Sequence, residues 1–64
     1  MEDATKFTAI RILREEIDSR TRKNDTIRTS FGDRITVAFT AECKQRDREI
    51  AAMEETISLI EAQA

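Results

Sequence analysis

A lone glycine near the midpoint, in a chain without proline, constrains the fold more than any other feature. Gly32 is the only glycine among 64 residues, so the sequence contains a single strong break in regular structure. The chain has the length of one small domain, and we take residues 1–64 as that domain. We therefore expect two long elements separated by a central segment, whose structure decides the fold class.

The first half predicts a helix over residues 4–22. Ile10, Leu13 and Ile17 recur at spacings of three and four, which places them on one helical face. Asp3 stands where a residue capping the helix start is expected. Basic residues suit the negative end of a helix dipole, and an Asn-Asp pair is typical of a loop. These residues are Arg20, Arg22 and Lys23, followed by Asn24 and Asp25.

The second half predicts a helix over residues 41–62. Its apolar residues repeat at three, four and three, the spacing of a helix that packs along a seam. Continued backward, the same register meets Arg46, Cys43 and Phe39. The apolar stripe fades before Phe39, so we expect this helix to begin near Thr40 or Ala41. The residues that carry the repeat are Ile50, Met53, Ile57 and Ile60.

The segment between the helices, residues 26–40, predicts a two-stranded hairpin. It is rich in β-branched and aromatic residues, which favour strands. With Gly32-Asp33-Arg34 as the loop, the alternating apolar residues on both sides face one way. The fold class expected from this is α+β, two helices flanking an antiparallel hairpin (α-β-β-α). The expected hairpin core is Ile27, Phe31, Ile35, Val37 and Phe39.

One long helix from Thr26 onward competes with the hairpin as an interpretation of this segment. Ile27, Phe31, Ile35 and Phe39 are also spaced by four, which suits one face of a helix. Gly32 inside a helix costs only about 1 kcal/mol. The β-branched residues make the helix somewhat less favourable, so the hairpin is the preferred prediction.

The composition argues against catalysis and against a metal or cofactor. Histidine, tyrosine and tryptophan are absent, which removes the commonest general base and metal ligand. Cys43 is the only cysteine, so it forms no internal disulfide and indicates a reducing compartment. One glycine does not build a phosphate-binding loop. No apolar stretch approaches the ~20 residues that span a bilayer, so we expect neither an enzyme nor a membrane protein.

Charge is unevenly distributed along the chain. Eleven basic and thirteen acidic residues give a net charge of −2, which does not call for a polyanionic partner. The basic residues cluster in the middle, and the last sixteen residues hold acids and no base. A basic cluster contacts phosphates, but we expect proximity to nucleic acid without sequence specificity. The candidate interaction residues are Arg20, Arg22, Lys23, Arg28 and Arg34.

Residues 29–41, TSFGDRITVAFTA, resemble the hairpin of the small phage head–tail joining proteins of the gpW family. Gly32 and Arg34 occupy the turn of that hairpin, and Val37 and Phe39 its second strand. The resemblance implies a non-enzymatic connector without cofactor, at the virion head–tail interface and in the host cytoplasm during assembly. Its partners would be the portal and the tail or neck proteins. Copies would form a ring on assembly and be monomeric or weakly associating alone.

Two other functions are compatible with the same residues. One is a small regulatory module, such as a phage or bacterial inhibitor that docks on a host protein. The other is a helical-hairpin module that interacts through a coiled coil, which follows if residues 26–40 are helical. The short amphipathic helices of such a module depend on a packing partner for their stability.

Overall fold

A computed structural model describes residues 2–63 as two long helices joined by a short turn. Helix α1 covers Asp3–Phe31 and helix α2 covers Val37–Ala62, with one 3₁₀ turn at Gly32–Arg34 between them. The helices run antiparallel and form a rod whose backbone extends over 47 × 14 × 12 Å. No strand occurs in residues 2–63. Neither helix contains an apolar stretch long enough to cross a bilayer.

The α+β prediction is therefore wrong, and so is the hairpin at residues 26–40. Residues 26–31 continue α1, and residues 37–40 form the start of α2. The strand preference of β-branched residues is a few tenths of a kcal/mol each. Packing along a seam that runs the length of both helices outweighs it, because Ile27 and Phe39 continue the apolar spacing of their helices. The alternative of one helix from Thr26 onward is also wrong, because residue 26 belongs to α1 and the chain reverses at Gly32.

The helix boundaries differ from the predicted ones for local reasons. Residue Glu2 precedes α1 and makes no side-chain capping bond, and Asp3 lies inside the first turn instead of capping it. Arg20, Arg22 and Lys23 lie well inside α1 and not at its end. Helix α2 starts earlier than expected because Thr36 caps it: the Thr36 Oγ1 accepts a hydrogen bond from the Phe39 N–H at 3.1 Å.

Gly32 allows the reversal through a backbone conformation that L-residues avoid. Its φ is +50° and its ψ is −124°, a combination open mainly to glycine. The Gly32 N–H donates to the Arg28 carbonyl and ends α1. The Gly32 carbonyl then accepts from the Ile35 N–H at 3.3 Å. The one strong breaker in the sequence thus stands at the one reversal of the described chain.

The core is a narrow seam with the spacing of an antiparallel coiled coil. Seam residues in both helices are separated by alternating steps of three and four. Ile27, Cys43 and Ile57 are its buried apolar side chains, and most of the others are only half-buried. In α1 the seam is Ile10, Leu13, Ile17, Arg20, Asn24, Ile27 and Phe31; in α2 it is Phe39, Cys43, Arg46, Ile50, Met53, Ile57 and Ile60.

Of the five residues expected to form a hairpin core, some lie in the seam and others are exposed to solvent. Ile27 is buried, and Ile35 and Phe39 are half-buried. Phe31 is 38% exposed and stacks on Phe39, with ring centroids 4.8 Å apart. Val37 is 89% exposed, because it is the first residue of α2 and lies off the seam. The prediction that Val37 is a core residue is wrong.

Candidate interaction surface

A polar layer crosses the seam between the turn and the middle of the rod. Asn24 is 2% exposed, and its Nδ2 donates to the Cys43 carbonyl at 3.1 Å and to the Asp47 Oδ1 at 2.9 Å. Its Oδ1 accepts from the Arg46 Nη1 at 3.3 Å. The side-chain amide therefore meets partners with both its donor and its acceptor, as a buried amide requires. Only one alignment of the helices satisfies all these bonds.

Asp47 and Arg28 extend this polar layer to the surface. The Arg28 Nη2 lies 2.8 Å from the Asp47 Oδ2. The hydrogen bond from Arg28 lowers the pKa of Asp47, with the positive charge of Arg28 and the Asn24 amide adding to the effect. The same pair raises the pKa of Arg28. The carboxylate is thus held ionised on α2 by two residues of α1.

Arg20 forms a second link between the helices. Its Nε lies 3.2 Å from the Glu49 Oε1 of α2, and its Nη1 lies 2.6 Å from the Glu16 Oε2 of its own helix. These hydrogen bonds, Glu16 first and Glu49 second, raise the pKa of Arg20. A cation at a seam position is therefore held between two carboxylates, which lie to one side of the seam.

The structure distributes the predicted basic cluster instead of concentrating it. Arg20 and Arg28 are committed to acids of α2, and Arg22 pairs with Asp18 at 2.6 Å. Lys23 and Arg34 are exposed and form no ion pair with any residue of 2–63. The five residues do not make a continuous free basic surface, so geometry gives little support to phosphate binding there.

The two sides of the seam differ strongly in charge. One side, which we call the charged face, contains the Arg28–Asp47 pair and the Arg14–Glu61 pair, whose closest atoms are 3.9 Å apart. Helical periodicity places Arg11, Arg14, Asp18, Asp25, Arg28, Lys44, Asp47, Glu54 and Glu61 on this face. The opposite side carries, within the two helices, Glu16, Lys23, Glu42 and Glu49.

Uncharged residues cover the less charged side toward the chain termini. Ile12 is 50% exposed and Leu59 is 61% exposed, and the antiparallel register places them at the same level of the rod. The residues around them are small or carry one hydroxyl group. We call this surface the open-end patch and define it as Thr5, Ala9, Ile12, Ala52, Thr56 and Leu59.

Acids and thiols do not gather into a metal-binding cluster in the described residues. In residues 2–63 no three acids or thiols lie close enough to hold a metal ion. Cys43 is 1% exposed, and its carbonyl contacts Asn24 while its side chain fills the seam. The carboxylate of Asp47 pairs with Arg28, and that of Glu49 pairs with Arg20.

The residues that fix the helix alignment were not identified from the sequence, with one exception. The exception is Arg46, which the spacing of α2 meets when it is continued backward. Asn24 was interpreted as a loop residue, and Asp47 and Glu49 had no assigned structural role. The available signal was the step of three and four continued past Ile17, which reaches Arg20, Asn24 and Ile27. Polar residues at such positions are typical of seams that encode a register.

Comparisons of the chain with protein-family models, with curated proteins and with solved structures gave no match.

Proposed function

We propose that this chain is a non-enzymatic interaction module, a helical hairpin that binds helical segments of proteins. The observation that carries the proposal is the open-end patch beside a seam of fixed register. Ile12 and Leu59 expose large apolar side chains at one level of the rod. A hairpin held in one alignment presents them at a constant spacing, which suits an apolar helix face laid alongside.

The distribution of charge favours a protein partner over a nucleic acid. Binding to phosphates draws on cations that are free to replace counterions. Arg20, Arg22 and Arg28 are already paired with carboxylates, and the net charge is −2. Apolar association at the patch requires none of these pairs to break.

The seam also supports a role without catalysis. Its fully buried polar side chain, Asn24, already forms hydrogen bonds with Cys43, Asp47 and Arg46. The depressions described along residues 2–63 are shallow and open to solvent. Such a rod offers surfaces for contact and not an enclosed site that excludes water from a reaction.

The virion connector remains a prediction that rests on the resemblance to the gpW family. The residues that carried the resemblance, 29–41, form helix and turn where that family has strands. The proposal therefore follows the coiled-coil alternative and does not depend on a portal or tail partner.

Site-specific photo-crosslinking tests the proposal. A benzoylphenylalanine at position 12 or 59 is expected to crosslink a protein partner in the source cell. The same group at position 37, which is exposed on the first turn of α2, is the matched control. A partner identified this way should then bind the purified chain and lose affinity for the Ile12→Gln, Leu59→Gln variant. Crosslinks that are equally weak at all three positions would refute the proposal.

A further inference from the structure

We propose that the open-end patch binds a second copy of this chain, so that two hairpins form a four-helix dimer. The inference rests on the proposed function, because it names the partner of the same surface. Three observations carry it: the excess surface of the single rod, the absence of charge from the patch, and the level at which Ile12 and Leu59 lie.

The single hairpin exposes more surface than a compact monomer of its mass. Its accessible surface is 4893 Å² for 7.4 kDa. Surface scaling of folded monomers gives about 4,200 Å² for that mass, an excess of about 700 Å². A standard protein interface buries about 800 Å² on each partner. Covering one side of the rod with a second rod would therefore bring the chain near the exposure of a compact protein.

The patch is built for contact without the cost of burying charge. Its six residues carry no ionisable side chain. The Thr56 Oγ1 donates to the Ala52 carbonyl at 2.9 Å, so its hydroxyl proton is already satisfied within α2. Glu16 and Glu49, which lie on the same side of the seam as the patch, both pair with Arg20. The core of an interface is typically depleted of charge in this way.

The position of the two large side chains suits a partner identical to the chain itself. Ile12 and Leu59 lie at one level on adjacent helices, with the small residues Ala9 and Ala52 nearby. A twofold contact is self-complementary, so each copy brings the same pair to the other. The four side chains then cover one another, and neighbouring seam residues that are half-buried in one rod, Leu13 and Met53, become enclosed.

Sedimentation equilibrium on the full chain tests the proposal. We expect the wild-type chain to dimerise reversibly and the Ile12→Gln, Leu59→Gln variant to dissociate about tenfold or more readily, because two apolar side chains lose their burial. Glutamine favours helices at least as well as the residues replaced, so helicity should be retained. The matched control is Phe7→Gln: Phe7 is 74% exposed but lies beside Glu61 on the charged face. Its dimer should equal that of the wild type.

The remaining outcomes separate the failure of self-association from the failure of the proposed function and from a wrong choice of face. A wild-type chain that stays monomeric up to about 1 mM, a concentration that drives even weak association, overturns self-association. Crosslinking of another protein from position 12 would then leave the proposed function standing. Dissociation by Phe7→Gln alone overturns the choice of face. Isotope-filtered nuclear Overhauser spectra of mixed labelled and unlabelled wild-type chain need no variant: contacts between Ile12 and Leu59 of different copies are expected, and their absence contradicts the dimer.

Discussion

The side-chain amide of Asn24 donates at once to the Asp47 carboxylate, at 2.9 Å, and to the Cys43 carbonyl, at 3.1 Å. One buried residue of α1 thus holds two groups of α2. Shifting either helix by a step of the seam would separate this amide from both partners, and a buried amide left unpaired costs about 1–3 kcal/mol. A polar residue at a seam position is a known means of selecting one register, and here it sets the alignment on which the surface depends.

Removing the donor group of Asn24 should destabilise the hairpin. In Asn24→Asp the shape is kept, but the Nδ2 protons are lost and a second carboxylate faces Asp47. Arg46, whose Nη1 lies 3.3 Å from the Asn24 Oδ1, offsets part of that repulsion. We expect the free energy of unfolding in urea to fall by about 1–3 kcal/mol. Thr21→Asp, at an exposed position of the same helix, is the control and should change it by less than about 0.5 kcal/mol. Equal effects would remove Asn24 from the account.

Acid should weaken the hairpin through Asp47. Its pKa in the folded chain is lowered from the ordinary value of 3.8, mainly by the hydrogen bond from Arg28. As the pH falls, the unfolded chain therefore binds a proton at Asp47 before the folded chain does. The stabilisation that is present above the unfolded pKa is lost as the pH falls through the folded pKa. We expect the thermal midpoint to drop between about pH 5 and pH 2, and the drop to be smaller in Asp47→Asn. Arg28→Gln should also reduce it. A wild-type pH dependence in both variants would contradict the role of the pair.

Much of the sequence prediction depended on features that are visible locally. The break at Gly32 needs only the properties of glycine, and the repeat from Ile50 to Ile60 needs only helical periodicity. The hairpin prediction relied on the strand preference of residues around Ile35 and Val37, which is weak and depends on context. Whether Ile27 and Phe39 face each other across strands or along helices is decided by the whole seam, so local preference favoured the wrong element.

The polar layer illustrates a second limit. Asn24 is unfavourable inside a helix unless its side chain finds partners, so a local reading assigns it to a loop. Its partner Asp47 lies 23 residues away along the chain, and nothing near Asn24 in sequence indicates it. Continuing the seam spacing of α1 beyond Ile17 predicts the position, but the chemistry becomes visible only when α2 is aligned beside it.

Val37→Asp should stabilise the chain slightly, the reverse of what a core position would give. Val37 is 89% exposed at the start of α2, whose first turn contains no acid. A negative charge there interacts favourably with the helix dipole, by about 0.3–1 kcal/mol. Val37→Lys should have the opposite sign at the same site. Thermal melts of the two variants check the prediction. If Val37→Asp unfolded the chain, Val37 would have to be a core residue.

Gly32→Ala should destabilise the reversal through backbone strain alone. A Cβ added at Gly32 meets no atom within 4 Å, so collision is not the cause. The φ of +50° is unfavourable for an L-residue, and such strain costs about 1–3 kcal/mol. In a chemically synthesised chain, D-alanine at position 32 is the control, because this backbone is the mirror image of a conformation that L-alanine adopts readily. Equal stability of the two alanine forms would contradict the conformation of the turn.

Backbone ¹³Cα chemical shifts of residues 26–40 distinguish a helical hairpin from the other folds open to this segment. We expect helical shifts through residue 31, a break from Gly32 to Thr36, and helical shifts again from Val37. Strand shifts on both sides of Gly32 would contradict that expectation and restore the hairpin with α+β architecture. Helical shifts that continue without a break through Gly32 would contradict it differently, since the chain would then be one long helix and the seam between α1 and α2 would not form within a single copy.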